Sequence, residues 1–211
     1  MWATDVKPTR HPHPHPHPRR RAQRGVASIE FALVAIAFLV TVFGILELGR
    51  IVYMFNTLSD VTRSAARSAA NIDWRDAAAL ERARQRAMFR NAPGELAFGA
   101  PVTDANIRID YLYVKKTGAS FTTEPVASMP TCPSRNRHNC LTNHYGNGTD
   151  PGSVCVRLVR VRICEAGGPD CQAMKYQPLF PMLNLTPYLP LSTTVVAAET
   201  LGYRPGDSVC P

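Results

Sequence analysis

The stretch "RRRAQRGVASIEFALVAIAFLV", residues 19–40, decides how the rest of the chain is read. A basic cluster and a glycine lead into an apolar run broken by one carboxylate, Glu30, near its mouth. Residues 31–46, "FALVAIAFLVTVFGIL", carry no charge, and with Val26 to Ile29 on the other side of Glu30 the run covers residues 26–46. A helix of about 20 residues crosses roughly 30 Å of hydrocarbon, so the run predicts a single transmembrane helix. A core helix of a soluble domain would carry polar residues every three or four positions, and residues 31–46 carry no charged residue at all. A cleavable secretory signal would have a shorter apolar core followed by small residues at a cut site. This run instead leads into "LELGRIVYMFNTL".

Basic residues give the orientation. Lys7, Arg10, Arg19, Arg20, Arg21 and Arg24 precede the run against the single acid Asp5, whereas Arg50 stands alone beyond it until Arg63. The positive-inside bias places the N-terminus in the cytoplasm and the larger part of the chain across the membrane. The leader thereby takes +5 of the formal +8, so the basic balance reports topology, and no nucleic-acid partner is expected. "HPHPHPHP" at residues 11–18 offers imidazoles to a metal, but alternating prolines forbid a helix and no folded frame surrounds them. It reads as a low-complexity leader.

Cys132, Cys140, Cys155, Cys164, Cys171 and Cys210 all lie on the exported side. An even count there predicts up to three disulfides, with the pairing left open. No C-x-x-C pair occurs, and the spacings fit no common zinc module, so no metal and no cofactor is expected.

Past the span, "IVYMFNTLSDVTRSAARSAANI" at residues 51–72 keeps Val52, Phe55, Leu58, Val61, Ala65 and Ala69 at a three-to-four spacing. A helix continuing out of the membrane is predicted, then a second helical piece over "WRDAAALERARQRAMFRN" capped by Asp73 and ending before Pro93 and Gly94. Strand periodicity follows in "NIRIDYLYV" (106–114), "SVCVRLVRVRICE" (153–165) and "LSTTVVAAET" (191–200). Between the first two, "EPVASMPTCPSRNRHNCLTNHYGNGTDPG" reads as a long loop held by cysteines. The fold class is therefore α+β: a long N-terminal transmembrane and amphipathic helix, then a small disulfide-bearing antiparallel sheet domain. The expected organisation is a cytoplasmic basic leader at 1–25, a transmembrane helix at 26–50, a continuing helical region at 51–92 and an exported α+β domain at 93–211.

The chain holds no G-x-S-x-G, no H-E-x-x-H and no phosphate-binding glycine loop. Those absences move the expectation from catalysis toward structure and assembly.

Arginines, Gly25, "VASIEF" with Glu30 the fifth residue after the glycine, and then an apolar run resemble the processing site of type IV prepilins and pseudopilins. More narrowly, residues 24–70 are similar to the TadE-like pseudopilin family of tight-adherence (Flp-type) pilus systems, which shows a G-x-x-x-x-E-F start and a Phe-Gly, Glu, Arg stretch where the span ends. Phe31, Phe43, Gly44, Glu47 and Arg50 match those positions. "YQPLFPMLNL" and a last strand ending at Glu199 are similar to the family's C-terminal habit. The resemblance implies a minor pseudopilin cut between Gly25 and Val26 by a prepilin peptidase. It also implies other pilin or pseudopilin subunits, an inner-membrane assembly platform and the lipid bilayer as partners, with the domain in the periplasm. Cutting would place a new amine on Val26, largely cationic at neutral pH. In pilins that amine is held to pair with the glutamate of a neighbouring subunit, which offsets the cost of a carboxylate in the span, about 2.5–3.5 kcal/mol at its centre and less near an interface. The rival reading is a signal-anchored, uncut exported binding protein.

Overall fold

The computed structural model describes residues 24–143, 149–168, 170–180 and 187–210. The His-Pro leader, the basic residues before Arg24, and residues 181–185 of the "YQPLFPMLNL" segment lie outside them. Helix α1 (Arg24–Ala69) runs unbroken for 46 residues, because no proline interrupts it and alanine, leucine and other helix formers fill it. The chain divides into two units, residues 1–41 and 42–211. In the first, every described side chain from Val26 to Thr41 is exposed except the half-buried Ala35. The helix is long and apolar enough to cross a membrane.

In the second unit the coat of α1 changes. Met54, Leu58, Val61, Ala65 and Ala69 are fully buried on one face. Of the six positions expected to form that face, Val52 and Phe55 do not belong to it; both are exposed, and Met54 takes the core position. The register follows the row 54, 58, 61, 65, 69, because each buried residue must fall on the stripe facing the sheet.

That sheet is antiparallel throughout, in the order β2-β1-β3-β4, from β1 (Ile107–Thr117), β2 (Ser120–Pro125), β3 (Leu158–Ile163) and β4 (Thr193–Ala197). Ile107 opposes Ile163, Ile109 opposes Val161 and Tyr111 opposes Val159. These rows carry the inner face, which joins the helix in one core. Thr62 of α1 lies 2.9 Å from the Thr194 hydroxyl, and Ser192 donates to the Leu58 carbonyl at 3.2 Å, so the helix and β4 run side by side. At the far end the amides of Glu199 and Leu201 both donate to the Ala70 carbonyl, at 3.1 and 3.0 Å. Gly202 then turns with φ 86, and a Cβ there would sit 2.6 Å from that of Asp73, so only glycine fits the turn.

Three features correct the sequence expectation. The second helix, α2 (Ala77–Ala87), is capped by Asp76, which accepts from the Ala79 amide at 2.8 Å. Asp73 instead holds Arg75, 2.7 Å away, and its side chain is committed before the helix begins. The cysteine-bearing loop contains α3 (Pro133–Thr142), with the Cys132 sulfur accepting from the Arg135 amide and Pro133 in the first turn. Third, the β1–β2 hairpin turns at Gly118, φ 63, and adds an exposed edge strand that carries no strong apolar alternation. The sulfurs pair as Cys132–Cys210, Cys140–Cys155 and Cys164–Cys171. The first spans 78 residues and constrains the unfolded chain most, by about 4.5 kcal/mol in chain-entropy terms.

Candidate functional site

Two carboxylates on α1 organise the candidate sites. Gly25 is the second residue of the helix, and Val26 and Glu30 follow it. Four residues of helix amount to about 6 Å of rise and just over one turn, so the Val26 backbone nitrogen and Glu30 lie on one side. Glu30 is exposed and makes no hydrogen bond or ion pair among the described residues. Phe31 beside it is 76% exposed. No described residue covers this end.

Glu47 and Arg50 are placed differently. Their i,i+3 spacing puts them on one helix face, and both are buried, Glu47 completely. The Arg50 Nη1 lies 3.3 Å from Glu47 Oε1. The same guanidinium donates to three backbone carbonyls: from Nε to Phe98 at 2.7 Å, from Nη1 to Gln177 at 2.7 Å and from Nη2 to Ala100 at 3.0 Å. It also stacks over the Tyr176 ring, 5.0 Å from its centre, and donates to the Tyr176 hydroxyl at 3.0 Å. That hydroxyl in turn donates to Glu47 Oε1, which accepts from the Leu179 amide as well, at 3.2 Å. Burial and the bond to Glu47 push the Tyr176 hydroxyl up to about 12, so it remains a donor at any ordinary pH. Glu47 Oε2 is buried with no partner among the described residues.

Chemically this is a clamp. Two segments far apart in sequence, around residues 98–100 and 176–179, are tied to one turn of α1 through a single ion pair. Phe43 and Phe180 add a stacked pair with ring centres 4.4 Å apart. Sequence alone singled out Glu47 and Arg50 through the resemblance; it did not find their partners. The aromatic that opens "YQPLFP" was the available signal, because a tyrosine buried beside charges needs a polar partner for its hydroxyl.

A third cluster escaped the sequence reading. On the outer sheet face Asp110 lies 2.7 Å from Arg162 and 3.2 Å from both Arg160 and Arg108. Burial alone would raise the Asp110 carboxyl, but hydrogen bonding and charge from Arg162, with Arg160 and Arg108, hold it below the ordinary carboxylate value. The period-two arginines of "LVRVRI" were the signal, since they share one face of β3.

Residues 25–67 match the family model described as TadE-like protein, which takes in Gly25, Val26, Glu30, Phe31, Glu47 and Arg50. No curated protein and no solved structure matches the chain.

Proposed function

From the premise that residues 25–67 are a TadE-like segment, which relates the chain to tight-adherence pili and so to other pilus subunits, we propose that it is a minor pseudopilin serving assembly of such a pilus or a related secretion apparatus, and not an enzyme. A prepilin peptidase cuts between Gly25 and Val26 on the cytoplasmic face of the bacterial inner membrane. Residues 26–46 remain as a single-pass anchor, and the disulfide-bonded domain stands in the periplasm, where the three cystines are kept oxidised. During assembly Glu30 pairs with the new Val26 amine of a neighbouring pilin or pseudopilin at the inner-membrane platform, which fixes helix register while both charges leave water.

The observation that carries this reading is Glu30 itself. It stands one turn from the processing glycine on the stretch of α1, residues 26–41, whose side chains are exposed but for Ala35, and it has no partner among the described residues. A carboxylate so placed is costly in lipid unless a cation from outside the chain meets it.

Co-expression with a prepilin peptidase and intact-mass measurement tests the processing. The expected product begins at Val26, and Gly25→Leu should leave the precursor uncut. A product that retains Met1 or the His-Pro segment in the presence of active peptidase would favour the uncut, signal-anchored binding protein instead.

A further inference from the structure

The clamp described above also collects apolar side chains with no core to enter. Phe98 is 78% exposed and Leu179 57% exposed, and with Phe180, Leu46, Gly49 and Tyr53 they line an open cleft of about 360 Å³. Phe98 holds φ 55, a backbone region that a bulky aromatic seldom adopts, and its ring is turned outward all the same. A soluble domain gains nothing from presenting two large apolar tips on neighbouring loops.

Their level along α1 suggests what covers them. Phe180 stacks on Phe43, and Phe43 lies inside the apolar run 26–46, three residues or about 4.5 Å of rise before its end. The loop bearing Leu179 and Phe180 therefore reaches the depth at which the run itself is in lipid. Irregular backbone near hydrocarbon is tolerated only when its polar groups are satisfied by protein. Five of them are: Arg50 serves the carbonyls of Phe98, Ala100 and Gln177, Glu47 serves the Leu179 amide, and the Tyr53 hydroxyl donates to the Ala97 carbonyl at 3.2 Å. The ion pair is a device that neutralises exposed backbone as well as its own charges.

We infer that the loops carrying Phe98 and Leu179 are seated in the lipid bilayer, at the headgroup–acyl boundary of the leaflet from which α1 emerges, so that the folded domain is held against the membrane and does not swing freely on a single helix. The occupant of the cleft is the lipid surface, because the cleft is continuous with the apolar run of α1 and lined by apolar side chains up to the buried ion pair. The inference rests on reading residues 26–46 as a membrane span.

The test uses the full chain in phosphatidylcholine vesicles, with Trp2→Phe and Trp74→Phe as background and one tryptophan introduced at a time. Phe98→Trp and Leu179→Trp replace exposed side chains, so neither substitution disturbs the core. In vesicles of brominated lipid both variants should lose most of their emission relative to unbrominated lipid. Phe121→Trp, on the hairpin beyond the row Leu112, Leu158, Ala197, should keep its emission. Phe38→Trp reports the span. Quenching at Phe38→Trp without quenching at Phe98→Trp and Leu179→Trp overturns the inference and leaves the span standing. Absence of quenching at Phe38→Trp overturns the span reading and the inference with it. A photo-reactive residue at position 98 that cross-links a second protein while Phe98→Trp stays unquenched would assign the cleft to a protein partner and also overturn the inference.

Discussion

Glu30 and Glu47 lie on the same helix, yet their surroundings are opposite. Glu47 is completely buried, with a guanidinium, a phenol and a backbone amide directed at one of its oxygens. Glu30 is exposed and has no partner among the described residues. A carboxylate in or beside lipid needs compensation, and the chain supplies it for Glu47 from Arg50 on the same helix and from Tyr176 and Leu179 of a loop. For Glu30 the described residues supply none, and the proposed compensation is the amine of another subunit. The contrast sets a residue that ties loops to the helix against one proposed to join the domain to another subunit, and substitutions can test whether the separation is real.

The largest effect is expected at the clamp. Arg50→Ala removes the cation beside a fully buried carboxylate and takes the donor from the carbonyls of Phe98, Ala100 and Gln177. Breaking a buried pair from one side costs about 3–5 kcal/mol. Denaturant unfolding of the full chain in detergent micelles should show that loss. Glu47→Gln keeps an acceptor for Tyr176 and Leu179 but loses the charge, and should fall between wild type and Arg50→Ala. If Arg50→Ala unfolds within about 1 kcal/mol of wild type, the ion pair is incidental and the contrast with Glu30 disappears.

A smaller effect is expected at Asp110, whose partners Arg108, Arg160 and Arg162 are partly solvated. Asp110→Asn should cost about 1 kcal/mol at neutral pH after discounting for solvent screening. The pH dependence has a definite sign. The folded carboxyl is depressed, so its contribution is complete above the unfolded value, about 3.9, and is lost as pH falls through the folded value. The stability gap between wild type and Asp110→Asn should therefore shrink in acid below about pH 4. A gap that widened there would contradict the assignment.

The same contrast explains what was legible in sequence. The unbroken α1, the inward row Ile107, Ile109, Tyr111 and the α+β class followed from periodicity, which is a local property of the chain. Helix α3 did not, because "PSRNRHNCLT" has no apolar stripe; it is held by Pro133 in its first turn, by the Cys132 cap and by Asn139, which donates to the Val154 carbonyl at 2.9 Å. Strand β2 is an exposed edge whose register depends on β1. The Cys132–Cys210 pair and the loop partners of Arg50 depend on residues about 50 to 130 positions away, a separation that no local pattern encodes, while Cys140–Cys155 and Cys164–Cys171 close loops of 15 and 7 positions. The role proposed for Glu30 rests on its spacing to Gly25 and concerns a partner in another chain, so it is a matter for the substitutions below.

The smallest effect on stability is expected at Glu30, and that is where the comparison is sharpest. Glu30→Ala removes no contact among the described residues, so the unfolding midpoint should stay within about 0.5 kcal/mol of wild type. It also removes a charge from the membrane run, so insertion should be no worse. Cutting after Gly25 should persist, because the glycine and the bond after it are unchanged. Assembly should nonetheless be impaired, since the neighbour's Val26 amine would enter lipid without a counter-charge. Glu30→Gln keeps the shape and a hydrogen-bond acceptor but not the charge, so it should resemble Glu30→Ala if pairing is ionic. Glu30→Asp, shorter by one methylene, should recover part of the function. Pilus assay, intact mass and unfolding on the same variants read these steps separately. Normal piliation by Glu30→Ala would refute the pairing, whereas a loss of stability equal to that of Arg50→Ala would show that Glu30 has a partner within its own chain.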